Sequence, residues 1–288
     1  MASGGLAEQT LLHIDDRDAF INGFAREPVA VRHSLVDHPL LTLESIAELA
    51  DSLPLASVER HRADLPVVAP GGAPNIEGAP SETVRQIETN GCWMVLWYLE
   101  QVPAYKALLD AILDEAEASL GGRDGGMQRR EAFLFLSAPN AITPVHFDPE
   151  HNFLLQIRGT KNMNVCPWDD PSSEQRELDR YHDGGHRNLD VMPKESKTFS
   201  LAPSHGVYVP PWRPHWVQNG DAVSISLSIT FRTAVSERAE RVHTVNARLR
   251  RLHLSPRPAG SSERVDRAKE SAYLLLNRLR GTKPSHKG

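Results

Sequence analysis

From residue 131 onward the apolar positions fall into short runs separated by turn residues, the pattern of closely spaced strands. Glu131 to Ser137 is one such run, followed by Val145 to Asp148, Asn152 to Ile157 and Lys161 to Cys166, with Gly159-Thr160 as a hairpin-like turn. Lys197 to Leu201, Val207 to Val209 and Val223 to Phe231 continue the series. Many short strands at this spacing predict a barrel or sandwich. In the last of them Ser224, Ser226, Ser228 and Thr230 share one face, and Ile225, Leu227, Ile229 and Phe231 share the other. A hydroxylated inner face suits a barrel built around a polar ligand.

The flanks have a different period. Residues 1 to about 63 read as helical and irregular, with a helix over Leu43 to Ala50 capped by Thr42. The stretch 64–81 carries Pro66, Pro70, Gly71, Gly72, Pro74, Gly78 and Pro80 and reads as a long loop. The aromatic run 92–99 and the segment Tyr105 to Leu120 read as buried and amphipathic helices, the second ended by Gly121-Gly122. After Thr233, the apolar positions Val235, Ala239, Val242, Val245, Leu249 and Leu252 follow a helical period that Pro256 and Pro258 stop. A shorter helix is expected from Ser262 to Arg280. The expected organisation is therefore a helical N-terminal region over 1–120, a β barrel over 121–233 and a helical C-terminal region over 234–288.

Composition narrows the class. With 40% hydrophobic and 24% charged residues the chain is of ordinary globular type. Its longest apolar run, Cys92 to Leu99, is too short to span a bilayer. The start has neither a basic n-region nor an apolar h-region, so a cytoplasmic location is expected. Cys92 and Cys166 do not make a disulfide framework and read as buried thiols. The net charge of −5 conceals a basic end, with 14 Lys/Arg against 5 Asp/Glu from Arg232 onward.

The densest chemistry lies between Thr143 and Lys161. His146 and Asp148, two residues apart next to a strand, can converge on one ion, and a third ligand must come from elsewhere in the barrel. His215, in Pro210-Pro211-Trp212-Arg213-Pro214-His215, is the candidate. Two histidines and a carboxylate on a β scaffold make a non-haem Fe(II) site with open positions for oxygen chemistry. With 13 His in the chain a chance His-x-Asp is unsurprising; His13-Ile14-Asp15 is one, without strand context or companions. A His-x-His pair would point to zinc or manganese, and Ala or Gly at position 148 to halogenation, whereas Asp favours hydroxylation or a related oxidation. If the co-substrate is 2-oxoglutarate, its far carboxylate needs a buried cation, which Lys161 supplies with the Thr143 hydroxyl beside it. Thr143 and His146 do not share strand parity, and Pro144 between them permits a bend. His182 and His186, in a glycine-rich stretch, read as structural or substrate-loop residues; His151 and His205 are off pattern.

These residues resemble the JmjC branch of the cupin superfamily, the Fe(II)/2-oxoglutarate oxygenases. They look especially like the asparaginyl hydroxylase that inhibits hypoxia-inducible factor and its bacterial cupin-like relatives. The family pattern Thr-Pro-x-His-x-Asp, an Asn, Gly-x-Lys and a distal His reads here as Thr143-Pro144-Val145-His146-Phe147-Asp148, Asn152, Gly159-Thr160-Lys161 and His215. The resemblance covers about residues 131–232. It implies a mainly β double-stranded β-helix (cupin, jelly-roll) with helical additions. It places Fe(II) on His146, Asp148 and His215, and 2-oxoglutarate on Thr143 and Lys161, with Asn152 lining the pocket and Thr230 where the hydroxylase has a late Asn. O2 would be the other co-substrate. The chain departs from the pattern in Ser204-His205-Gly206, where a Gly-Asp turn is usual. It also lacks a clear upstream Tyr, with Trp93, Trp97 and Tyr98 in range.

The expected activity is hydroxylation of a protein or peptide side chain. Oxidation or demethylation of a methyl-lysine, an RNA base or a small metabolite is the enzymatic alternative, and a metal-holding cupin module without turnover the non-enzymatic one. Relatives pair through C-terminal helices, so the apolar stripe after Thr233 implies a homodimer. The basic excess there also allows contact with nucleic acid, a reading weakened by the near absence of interleaved aromatics.

Overall fold

The computed structural model describes residues 10–62 and 78–279. In chain order its elements are β1 (Leu12–His13), α1 (Arg17–Gly23), β2 (Val29–His33), α2 (Leu43–Ser52), β3 (Val58–Arg62), α3 (Pro80–Arg85), β4 (Cys92–Leu96) and α4 (Pro103–Leu120). Then come β5 (Gln128–Ser137), β6 (Ile142–His146), β7 (His151–Arg158), β8 (Lys161–Val165), α5 (Pro171–His182), β9 (Lys197–Leu201) and β10 (His205–Val209). The chain closes with β11 (His215–Asn219), β12 (Ser224–Arg232), α6 (Ala234–Arg251) and α7 (Glu263–Leu279).

The strands form two antiparallel sheets. The larger runs β1-β2-β10-β7-β12-β5-β4-β3 and the smaller β6-β11-β8-β9. Their inner faces meet in a cluster of Leu154, Val207 and Val209 from the large sheet and Met163, Val165, Phe199, Leu201 and Val217 from the small one. This is the barrel or sandwich expected from the strand spacing, in the jelly-roll form that the resemblance implies. The opposite face of the large sheet buries Ile225, Leu227, Ile229 and Phe231 against Phe20, Ile46, Leu109, Ile112 and Leu113 of the helices. The alternation in β12 therefore has the predicted sense: its hydroxyl face is the inner one, with Ser224, Ser226, Ser228 and Thr230 all buried.

Helix signals read from sequence hold where capping chemistry fixes them. Thr42 Oγ1 accepts from Ser45 N at 3.2 Å to start α2, and Gly121, at φ 62°, ends α4. Thr233 starts α6 with a reciprocal Ser236 contact. The expected helix over 92–99 is instead β4, followed by a short 3₁₀ turn at Leu99–Gln101. An unbroken apolar run does not distinguish a buried strand from a buried helix by periodicity. Here pairing decides, since Trp93 and Val95 face Ser137 and Phe135 while Met94 and Leu96 join the helical core. The N-terminal region, expected to be helical, gives β1, β2, β3 and β4 to the large sheet. Helix α5, capped by Asp170, had no counterpart in the sequence reading. The proline- and glycine-rich stretch 64–81 falls mostly on 63–77, outside the described residues. Among the described residues no helix is long and apolar enough to cross a membrane, and both cysteines are buried and free.

The tightest turn joins β7 to β8. Gly159 has φ +70°, and a Cβ there would lie 2.2 Å from the Val223 carbonyl oxygen. Gly159→Ala is expected to cost about 3 kcal/mol from strain and backbone displacement. A urea midpoint matching the parent's would show that the turn relaxes freely.

Candidate metal centre

β6 and β11 are neighbours in the small sheet, with His146 directly opposite His215. The register shifts between His215 and Val217, so that His146 and Thr143, three residues apart, face His215 and Val217, two apart. This bulge answers the parity problem, because Thr143 and His146 both come to the side on which Val217 packs. Asp148 lies just past the end of β6 rather than on it. The turn holding it is pinned by Trp212 N, which donates to the Asp148 carbonyl at 2.7 Å.

The three side chains converge, with one ligand atom from each of His146, Asp148 and His215 lying within 4.8 Å of the others. His146 Nδ1 sits 2.9 Å from the Pro144 carbonyl and His215 Nδ1 2.9 Å from the Arg213 carbonyl. A carbonyl only accepts, so each Nδ1 donates, and Nε2 is the ring nitrogen turned toward Asp148. These Nε2 atoms lie 3.8 Å and 3.4 Å from Asp148 Oδ2. Burial, followed by the neighbouring His215, pushes the His146 pKa down to about 3, which keeps that ring neutral. Burial alone would raise the Asp148 carboxyl, but the charge of Arg187 leads the contributions that outweigh it and hold it well below the carboxylate range. Three potential ligand atoms turned toward one another fit a divalent cation, the species that makes such an arrangement attractive.

Arg187 was not anticipated. Its Nη1 donates to Asp148 Oδ1 at 2.5 Å, from a segment that lies along β6. Leu189 N donates to the Val145 carbonyl at 2.9 Å, and Asn188 bridges to His146. In the sequence Arg187 ends a run whose histidines drew attention, and nothing local marks it. Nearby, Arg232 pairs with both Glu150 and Glu240. Burial lifts the Glu150 carboxyl to about 7 against the pull of Arg232.

The other expected site residues lie as follows. Lys161 is buried on β8, opposite Asn219 and Leu201. It has no acidic partner among the described residues, and burial pushes its pKa down to about 7. Val165 at the other end of β8 faces His215, so Lys161 stands about 13 Å along the strand from the triad. The other arginines in range are already engaged, Arg158 by Glu88 and Arg232 as above. Asn152 is buried, its Oδ1 accepting from Ser228 Oγ at 3.0 Å. Thr230 Oγ1 is buried with no partner. Thr143 is exposed on β6, opposite Val217.

The remaining histidines have other surroundings. His151 is stacked between Phe24 and Phe231, its Nδ1 accepting from the Tyr208 hydroxyl at 2.8 Å. His182 packs on Trp212 and His243. His186 is exposed near the Asn188 carbonyl, and His13 lies on β1. Of the upstream aromatics, Trp93 stacks on His61 and Trp97 donates to Glu59 at 3.2 Å. Tyr98, edge-on to Phe133, is the one in the electrostatic field of Glu150 and Arg187.

Comparison with known proteins agrees with this architecture. Residues 127–238 match the JmjC domain family. No curated protein matches the sequence. Among solved structures, Escherichia coli YcfD is similar at 16% identity and a TM-score of 0.50, over 94% of this chain and 69% of that one. A structure of YcfD with cobalt and 2-oxoglutarate, described as a ribosomal oxygenase, gives 16% identity and a TM-score of 0.49 over 94% and 69% of the two chains. Identity at this level speaks to fold. Residues 127–238 of this chain thus match the JmjC domain family, and the two antiparallel sheets form a jelly-roll.

Proposed function

We propose that the protein is an Fe(II)- and 2-oxoglutarate-dependent dioxygenase that hydroxylates a side chain of a protein or peptide. The observation that carries this is the pairing of two features inside one JmjC barrel. One is the convergence of potential ligand atoms from His146, Asp148 and His215. The other is Lys161, a buried cation with no acidic partner among the described residues. The triad would hold the metal. Lys161 would hold the far carboxylate of the keto acid, with Thr143 on β6 and Asn152 and Thr230 lining the interior. Bound iron and keto acid supply an oxidant strong enough for an unactivated C–H bond, and the barrel's part is to orient the target and exclude water.

A protein substrate is favoured by β6, where Thr143 and Ile142 are exposed. Val191 and Met192, just beyond the segment that flanks β6, add 77% and 52% exposed apolar side chains. The description of YcfD as a ribosomal oxygenase makes ribosomal proteins sensible first probes. A cytoplasmic location is consistent with two free thiols. Succinate formed from 2-oxoglutarate without added substrate would separate an enzyme from a binding module. Mass spectrometry of a lysate treated under 18O2 would find the target.

His146→Ala, Asp148→Ala and His215→Ala are each expected to abolish iron binding while leaving the fold intact, as read by metal analysis and circular dichroism. His13→Ala should change neither. Full iron occupancy in His215→Ala would sink the assignment.

Lys161 gives a pH signature with two opposite signs. Its folded pKa, about 7, lies below the usual 10.5 because of burial. Between those values the unfolded chain binds more protons, so stability of the free protein rises with pH across this window. Over the same window the amine must take up a proton to meet a carboxylate, so 2-oxoglutarate affinity falls, by at most about tenfold per pH unit. Lys161→Met should remove both dependences and weaken 2-oxoglutarate by about two to three decades, or 3–5 kcal/mol, leaving metal affinity unchanged. Unaltered co-substrate affinity in calorimetry would place the carboxylate elsewhere.

A homodimer is proposed through the C-terminal helices, at a different surface from the one the α6 period suggested. Val242 is fully buried within the chain, whereas α7 exposes Leu274, Leu275, Leu276 and Leu279. These leucines need cover. Light scattering should give a dimer for the parent and a monomer for Leu275→Glu/Leu279→Glu. A monomeric parent at micromolar concentration would refute this, and salt-sensitive RNA retention would favour nucleic acid.

A further inference from the structure

We infer that Arg187 is a positioning residue of the metal centre, holding Asp148 Oδ1 so that the carboxylate can ligate only through Oδ2. This rests on the metal-centre reading above and extends it. Asp148 Oδ2 is turned toward both imidazole Nε2 atoms, while Oδ1 is taken by Arg187 Nη1 at 2.5 Å. A carboxylate with both oxygens free can swing between one-oxygen and two-oxygen ligation, and the second mode fills a position that a co-substrate needs. A charge-assisted hydrogen bond at this distance removes that choice.

The guanidinium is held from behind by backbone geometry. Phe147 N donates to the Arg187 carbonyl at 3.3 Å and Leu189 N to the Val145 carbonyl at 2.9 Å, so residues 187–189 run as an added edge along β6. Arg180 Nη2 donates to the Asn188 carbonyl at 2.5 Å and ties the same segment to α5. Arg187 and its ligand carboxylate are thus carried on two hydrogen-bonded neighbours, and their separation is fixed by the sheet. A second consequence concerns charge. Arg187 returns the positive charge that Asp148 takes away, so the centre keeps its attraction for a dianionic keto acid.

Orientation and charge predict opposite effects on metal affinity. A cation beside the ligand carboxylate opposes a divalent metal, so if Arg187 acted by charge alone its removal would tighten binding. If it acts by orientation, removal weakens binding, and loss of a ligand's outer hydrogen-bond partner typically costs 10–100-fold.

The test uses the full chain with Co(II) as probe, read by calorimetry and by the visible absorption of the bound ion, with His146→Ala as the non-binding control. Arg187→Ala is expected to bind Co(II) about 10–100-fold more weakly and to shift the absorption spectrum, which reports coordination number. Its metal-free thermal unfolding should remain cooperative. Should Arg187→Ala fail to fold without metal, Arg187→Lys reads the same two quantities, since a flexible ammonium does not reproduce the fixed fork. Weaker binding with a changed spectrum in either variant supports the proposal. Equal or tighter binding with the parent spectrum overturns it while leaving the metal centre intact. A parent that binds Co(II) no better than His146→Ala would overturn both.

Discussion

The potential ligand atoms of two imidazoles and a carboxylate, crowded within 4.8 Å of one another, are an arrangement that the fold must enforce. Each part of the enforcement is visible. Backbone carbonyls of Pro144 and Arg213 take the Nδ1 protons and so fix which nitrogen faces inward. Strand pairing sets His146 opposite His215. The backbone N–H of Trp212 holds the Asp148 turn, and Arg187 holds its free oxygen. The strand pairing and the Trp212 bond also serve the sheet, whereas the crowding of two imidazoles on a carboxylate is not needed to close a jelly-roll. Their convergence makes sense through a cation, and the electrostatics of the whole inner face follows from admitting one.

The barrel interior repeats this at lower stakes. Its apolar half is ordinary packing, but the face toward β12 is a lattice of side-chain hydrogen bonds. Gln156 Nε2 donates to Ser224 Oγ at 2.9 Å, Ser226 Oγ donates to Gln156 Oε1 at 2.6 Å, and Ser228 Oγ donates to Asn152. The lattice satisfies its members and stops short at Thr230 Oγ1. A buried hydroxyl without a partner costs about 1–3 kcal/mol, and a buried ammonium without a counter-ion costs more. Other buried polar atoms of this chain, Asn246 Oδ1 and Asp266 Oδ1 among them, also lack a hydrogen-bond partner among the described residues, so the buried ammonium is the stronger signal. That this hydroxyl and this ammonium occur inside one barrel is the physical case for a polar, anionic guest.

Legibility from sequence tracked how local the determining forces are. The Thr42 cap and the Gly121 terminator act over three or four residues and were readable. So were the strand alternation of β12 and the residues that meet as a triad, because a motif of fixed spacing carried them. The strand identity of 92–96 was not readable. It depends on pairing with β5, some forty residues away, and its apolar run suits either structure. Strands β1 and β2 join the sheet through β10, far downstream, which no window on residues 12–33 could reveal. Arg187 escaped for the same reason, since its meaning lies wholly in a contact with Asp148 across 39 positions. On the α6 stripe Val242 is buried where the helix packs on α5 and α7, while Val235 and Leu252 at its two ends are exposed, a division set by neighbours that no local window shows.

That packing also explains why the helical C-terminal region belongs to the chemistry. Trp212, whose backbone pins Asp148, has its ring against His182 of α5 and His243 of α6. Both imidazoles are pushed down by burial, to about 3 and about 4, and so pack as neutral rings. Phe147, between the two ligands of the His-x-Asp pair, packs on Trp168, Tyr181 and Trp212 in the same cluster. The ligand turn therefore rests on an aromatic floor supplied partly by helices outside the barrel. α6 is linked to Asp148 through the Trp212 ring and one backbone hydrogen bond. Helices that read in sequence as an appended region are, physically, the back wall of the metal centre.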